Sequence, residues 1–183
     1  MHYPFSRTIH EWLTERNLRA TLKESDWHFS DVRERMILRE SLSWKKHYLP
    51  INVRDLTVLD VGAGEGETAR LFLENGAAKV ICIEPSDEAF AYLKKNAVSH
   101  PIVPINKRFE MSDLETQSFD FLKMDIEGYE ESLLGTKLTH PAVLEVHGLQ
   151  LRDKFQAAGW RIEYPSPEDF KGYSCTTYAY WKY

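Results

Sequence analysis

From Thr57 onward the chain alternates short apolar runs with segments of helical period. The runs are Thr57–Val61 (TVLDV), Lys79–Ile83 (KVICI), Ile102–Ile105, Phe119–Met124 (FDFLKM) and Ala142–Val146 (AVLEV). Most are nearly continuous in apolar residues, as strands covered on both faces of a parallel sheet require. The Ile102 run is the weakest, interrupted by Pro104. Helices are expected around Glu67–Asn75, from Ser86 to Asn96 with Ser86 and Asp87 suited to capping, and over Leu149–Ala158, closed by Gly159. Arg161–Tyr164 and Tyr173–Trp181 read as closing strands. Strands alternating with helices predict an α/β fold with a doubly wound, mostly parallel sheet.

The first fifty residues follow another rule. Ile9, Trp12, Leu13 and Arg16 recur at helical spacing. A second helix is expected from Asp31, where Asp31-x-x-Glu34 resembles a capping box, through Val32, Met36, Ile37, Glu40 and Trp44 to a stop at Pro50. Residues 1–50 are therefore read as a helical extension or cap, and 51–183 as the main domain. The extension holds three of the five tryptophans. Packing against the following domain explains them, and a helical cap over an active site would look the same.

With 183 residues, 43% hydrophobic and 28% charged, the chain has ordinary globular composition. No run of 18 apolar residues occurs and the first residues show no apolar signal core, so a cytoplasmic protein without membrane association is expected. Cys82 and Cys175 are too few for a disulfide framework or a multi-cysteine zinc site. A net charge of −5 argues against binding nucleic acid through bulk positive charge, although residues 1–50 carry nine Lys/Arg against seven Asp/Glu.

Chemistry gathers where the strands end. Gly62-Ala63-Gly64-Glu65-Gly66 follows the first run, Glu84-Pro85 the second, Asp125-Ile126-Glu127-Gly128 the Phe119 run and His147-Gly148 the Ala142 run. In an open α/β sheet the ligand crevice lies beyond these carboxyl ends. The glycine loop permits a tight turn and close backbone approach to a ligand. Glu65 and Glu67, however, place two carboxylates where a diphosphate would be repelled. They suit an ammonium or sulfonium ligand such as S-adenosylmethionine. Glu84, 22 residues past Gly62, is placed to accept both ribose hydroxyls.

Val58-Leu59-Asp60-Val61-Gly62-Ala63-Gly64-Glu65-Gly66 resembles the first motif of the Rossmann-like S-adenosylmethionine-dependent methyltransferases, and a last strand turned back into the sheet fits that family. More narrowly, the chain resembles the FkbM-type methyltransferases through Gly62–Thr68, Glu84-Pro85, Lys123-Met124-Asp125-Ile126-Glu127-Gly128-Tyr129-Glu130 and Leu144-Glu145-Val146-His147. It departs between Asn96 and Phe119, a span too short for a strand, a full helix and their connections.

The resemblance implies S-adenosylmethionine as cofactor, with no metal assigned. By position, Asp60, Gly62, Ala63, Gly64, Glu65 and Gly66 would surround its methionine part, Glu84 the ribose and Pro85 the adenine. Arg108, Phe109 or Glu110 would meet the adenine edge, and Asp125 would sit next to the methyl group. The resemblance further implies O-methylation of a small-molecule or sugar hydroxyl, with RNA methylation or cofactor binding without catalysis as alternatives. Asp125, His147 and Glu127 are the catalytic candidates. His147 titrates near neutral pH and could take the acceptor's proton, or it could cap its strand end through a backbone hydrogen bond. Glu130 is read as a charge at a helix N-terminus, Lys123 as a strand residue with its charge satisfied, and Cys82 as a buried thiol.

Overall fold

The computed structural model describes residues 22, 24–126, 128–164 and 176–182. After helix α1 (Asp31–Tyr48) come β1 (Thr57–Val61), α2 (Glu67–Glu74), β2 (Lys79–Ile83), α3 (Asp87–Asn96) and β3 (Ile102–Ile105). The four-residue α4 (Asp113–Thr116), β4 (Phe121–Met124), a 3-10 helix (Tyr129–Leu133), β5 (Ala142–His147), α5 (Leu149–Ala157), β6 (Arg161–Glu163) and β7 (Thr176–Trp181) follow. The seven strands form one sheet in the order β3-β2-β1-β4-β5-β7-β6. The first five are parallel, and β7 enters antiparallel between β5 and β6. This is the expected Rossmann-like sheet.

Alternate strand residues feed two cores. Val58, Val80, Cys82, Phe121 and Val143 pack on one face with Phe72 of α2 and with Ile37, Trp44 and Tyr48 of α1. Leu59, Val61, Ile81, Ile83, Leu122 and Met124 pack on the other with Phe155 and Trp160. Each fully buried Phe or Leu contributes roughly 1.5–3 kcal/mol. Pro104 is accommodated because β3 is the sheet's edge, where a missing amide costs no ladder bond on the solvent side. The shortened span after Asn96 leaves only α4 between β3 and β4.

The proposed helix through Ile9 and Trp12 lies outside the described residues. The cap of α1 is Ser30, not Asp31: its hydroxyl oxygen accepts the Arg33 amide at 3.3 Å, and Asp31 and Glu34 become first-turn charges. Ser30 wins because its hydroxyl also donates to Glu65, which ties the helix start to the β1–α2 loop. Among the described residues no helix is long and apolar enough to cross a membrane.

Candidate functional site

Strand order reverses between β1 and β4, so the loops leaving these neighbours part and open a crevice. Backbone bonds fix its rims. The Gly62 amide donates to the Ile83 carbonyl and the Asp125 amide to the Val61 carbonyl, both at 3.0 Å. Gly62 has φ +75°, and a Cβ there would lie 1.8 Å from the Asp125 carbonyl oxygen. Only glycine lets the two loops pass this closely.

Glu84, buried at the end of β2, is held by the same device. Its two carboxylate oxygens accept amides from Gly64 at 2.9 Å and Ser86 at 2.8 Å. Beneath the loop, Asp60 and Lys123 are register partners on β1 and β4, fully buried with Nζ and Oδ1 3.0 Å apart. Lys123 Nζ also donates to the Gly62 carbonyl at 3.0 Å, and Thr68 donates to Asp60 at 2.5 Å. Despite burial, the Asp60 carboxylate and its neighbours hold Lys123 firmly protonated. The pair fixes the loop from below.

Above the sheet ends lies a cavity of about 420 Å³, within the range usual for small-molecule sites. Gly62, Gly64, Glu67, Glu84, Lys123, Asp125, Glu145 and His147 line it from the sheet side. One stripe of α1, formed by Arg33, Met36, Glu40, Trp44 and Tyr48, lines it from the other. Burial pushes the Glu67 carboxyl up to about 7, against the pull of Arg33, whose guanidinium lies 2.6 Å away. Burial and the Asp125 charge likewise push Glu145 up to about 8; Tyr48 donates its phenolic hydrogen to that carboxylate.

Carboxylates converge on one imidazole at the cavity's far end. His147 Nδ1 lies 3.2 Å from Glu130 Oε1, while Nε2 lies 3.8 Å from Asp125 and 3.9 Å from Glu145. Its pKa is raised to about 9, chiefly by the hydrogen bond to Glu130, with burial opposing and the Asp125 charge adding to the rise. Asp125, Glu130 and His147 bring ligand-type atoms within 4.8 Å of one another, a spacing a metal ion could bridge. Here the imidazolium already supplies the positive charge between these carboxylates. A second cavity, about 520 Å³, lies beside α4 and the amino ends of β4 and β5, and Glu115, Lys137 and His140 are its only titratable lining residues among those described.

Residues 58–128 match a protein family described as a methyltransferase domain. The matched stretch spans 71 of the 183 residues and holds the glycine loop, Glu84 and Asp125. The chain's fold is shared with solved structures of low identity. Fibrillarin from Aeropyrum pernix, solved with natively bound S-adenosyl-L-methionine, superposes with a TM-score of 0.56 at 12% identity, over 72% of this chain and 69% of that one. The ribosomal protein L11 methylase of Lactobacillus delbrueckii subsp. bulgaricus gives 0.52 at 18%, over 80% and 78%. An S-adenosylmethionine-dependent methyltransferase from Mesorhizobium loti gives 0.50 at 13%, over 73% and 93%.

The residues around the cavity fit S-adenosyl-L-methionine. Side chains at Gly62 and Gly64 would fill the cradle, since a Cβ on Gly64 would lie 2.6 Å from the Glu67 carboxylate. The carboxylates of the lining suit a sulfonium cation. Of the residues singled out from sequence, Gly62, Gly64, Glu84, Asp125 and His147 share this cavity. Others are placed elsewhere. Asp60 is fully buried under the loop, Ala63 belongs to the core, and Gly66 caps α2. Glu65 turns away to accept the Ser30 amide and hydroxyl, each at 2.6 Å. Pro85, Arg108 and Glu110 are exposed and outside the cavity lining, while Phe109 packs in the second core. Glu127 lies outside the described residues. His147 is bound by a carboxylate side chain, not the backbone cap considered above.

The sequence pointed to Met36, Glu40 and Trp44 on one helix and to a cap over a site as one reading, but it did not assign Arg33, Tyr48 or Glu145 to the cavity; Glu145 left a trace as the lone carboxylate in an apolar strand.

Proposed function

We propose that this chain transfers a methyl group from S-adenosylmethionine to a hydroxyl oxygen of a small molecule or sugar, in the manner the FkbM-type resemblance implies. The observation that carries the reading is His147, poised among Asp125, Glu130 and Glu145 in the same cavity as the glycine loop and Glu84. When bound, the cofactor supplies a methyl group made electrophilic by its sulfonium, which leaves as a neutral thioether. The chain's own task is therefore alignment and removal of a proton.

Glu84, its carboxylate locked on two amides, receives the ribose hydroxyls. The backbone of Gly62 and Gly64 borders the methionine part. Asp125 accepts the hydrogen bond of the acceptor hydroxyl and orients its oxygen. The proton passes to Nε2 of His147 in its neutral form, the minor form at pH 7 and the major one above about pH 9, as that oxygen bonds to carbon. The stripe of α1 closes the cavity and excludes water. A lining with five carboxylate residues, Glu40, Glu67, Glu84, Asp125 and Glu145, is a poor surface for a phosphodiester, which favours an uncharged acceptor over RNA.

The test is transfer of labelled methyl from S-adenosylmethionine to a panel of monosaccharides, glycosides and phenols, with structured RNA alongside. Label on a hydroxyl compound, lost in Asp125→Asn, supports the proposal. Label on RNA alone, or cofactor binding with no transfer to any acceptor or lysate fraction, overturns it.

A further inference from the structure

We infer that Glu130 is a positioning residue for methyl transfer, acting through His147: its buried carboxylate takes the Nδ1 hydrogen and thereby presents Nε2 to Asp125 and the cavity. The inference rests on the hydroxyl-methylation reading above and assigns a role to a residue that sequence alone made a helix-end charge.

Glu130 is fully buried and is not a lining residue of the cavity, so it does not meet the substrate directly. Its Oε1 accepts the Ile126 amide at 3.2 Å and faces His147 Nδ1 at the same distance. Its Oε2 is buried, with no hydrogen-bond partner among the described residues. A carboxylate sealed from water and aimed at one nitrogen of an imidazole dictates the tautomer, because the neutral ring keeps its hydrogen where the acceptor is. The lone pair is then left on Nε2, the nitrogen nearer Asp125 and Glu145. Only Nε2 in that form can receive a proton from an acceptor held at Asp125.

The charges around the ring come from several elements. Asp125 follows β4, Glu130 lies on the 3-10 helix, and Glu145 precedes His147 on β5. Tyr48 of α1 joins through Glu145, Lys123 stands behind on β4, and Arg33 and Glu40 of α1 line the same cavity. Among these, Glu130 contributes most to the raised His147 pKa. Removing its charge therefore moves the titration, whereas a merely structural contact would not.

The experiment is a pH titration of the His147 ring by long-range proton–nitrogen NMR in the full chain, alone and with S-adenosylhomocysteine. It compares wild type with Glu130→Gln and Glu130→Asp, with thermal melts confirming folding. The wild-type midpoint is expected near 9, with the neutral ring carrying its hydrogen on Nδ1. In Glu130→Gln the midpoint is expected to fall by about one pH unit or more, with the tautomers mixed. Glu130→Asp, keeping the charge with a shorter reach, is expected between the two and carries the test should the glutamine variant not fold. The rising limb of the methyl-transfer pH profile, measured on the acceptor found above, is expected to move in step. An unmoved midpoint in both variants overturns the inference, as does wild-type transfer that stops with EDTA and returns with Mn²⁺. If the ring titrates as expected but no acceptor is methylated, the function reading fails, and the role in transfer falls with it.

Discussion

The two halves of the crevice are built by different means. The β1–β2 half is fixed by backbone: Gly62 and Gly64 at positive φ, and Glu84 clamped between two amides. The β4–β5 half is fixed by side chains: Asp125, Glu130, Glu145 and His147 hold one another through charge. A backbone site is rigid and tolerates little change. A charge network can be retuned by pH or by one substitution, which suits the end where a proton must move.

This contrast predicts a gradient of effects. Gly62→Ala should be the most damaging, because its Cβ collides with the Asp125 carbonyl at 1.8 Å and the residue sits at φ +75°. A loss of about 3 kcal/mol or more, read by chemical denaturation, is expected; a near-wild-type midpoint would show that the loops can part. Lys123→Met should come next, at roughly 3–5 kcal/mol, since it strands Asp60 as a buried charge without its cation. Asp60→Asn in the same background should recover part of that loss, and no recovery would refute the pairing.

Smaller effects test the charges. Glu67, with a folded pKa near 7, binds its proton more tightly folded than unfolded. Its contribution therefore weakens the fold as pH rises from about 4.5 through 7 and levels off above that. Glu67→Gln removes this slope, so its stability relative to wild type should rise by about 1–3 kcal/mol between pH 5 and 7.5. A difference that stays flat with pH would show that Arg33 keeps Glu67 ionised. The least costly change is Ser30→Ala, expected to lose about 1 kcal/mol through the α1 cap and the Glu65 contact, with cofactor affinity unchanged.

The same contrast explains what could be read from sequence. The run Thr57–Val61 and the run Lys79–Ile83 are strands to the residue, because continuous apolar stretches of that length between turn signals have few other solutions. The last strand's turn back into the sheet was also legible, and the β1–β2 half announced itself through glycines and spacing. The partnership of Glu130 with His147 was not legible. Seventeen residues separate them, and no local pattern records which carboxylate a folded imidazole will face. Glu65 shows the opposite trap: it sits inside a recognisable motif, yet its side chain serves Ser30 instead of the cavity. A motif locates backbone reliably, while side-chain direction depends on partners brought in from elsewhere.

The most direct measurement is a calorimetric titration of S-adenosylhomocysteine into wild type, Glu84→Ala and Glu65→Ala side by side. The account predicts clear binding by wild type, a loss of about 100-fold or more in Glu84→Ala, equivalent to roughly 3 kcal/mol, and near-wild-type affinity in Glu65→Ala. Binding that survives in Glu84→Ala but disappears in Glu65→Ala, or no wild-type binding at all, would contradict it.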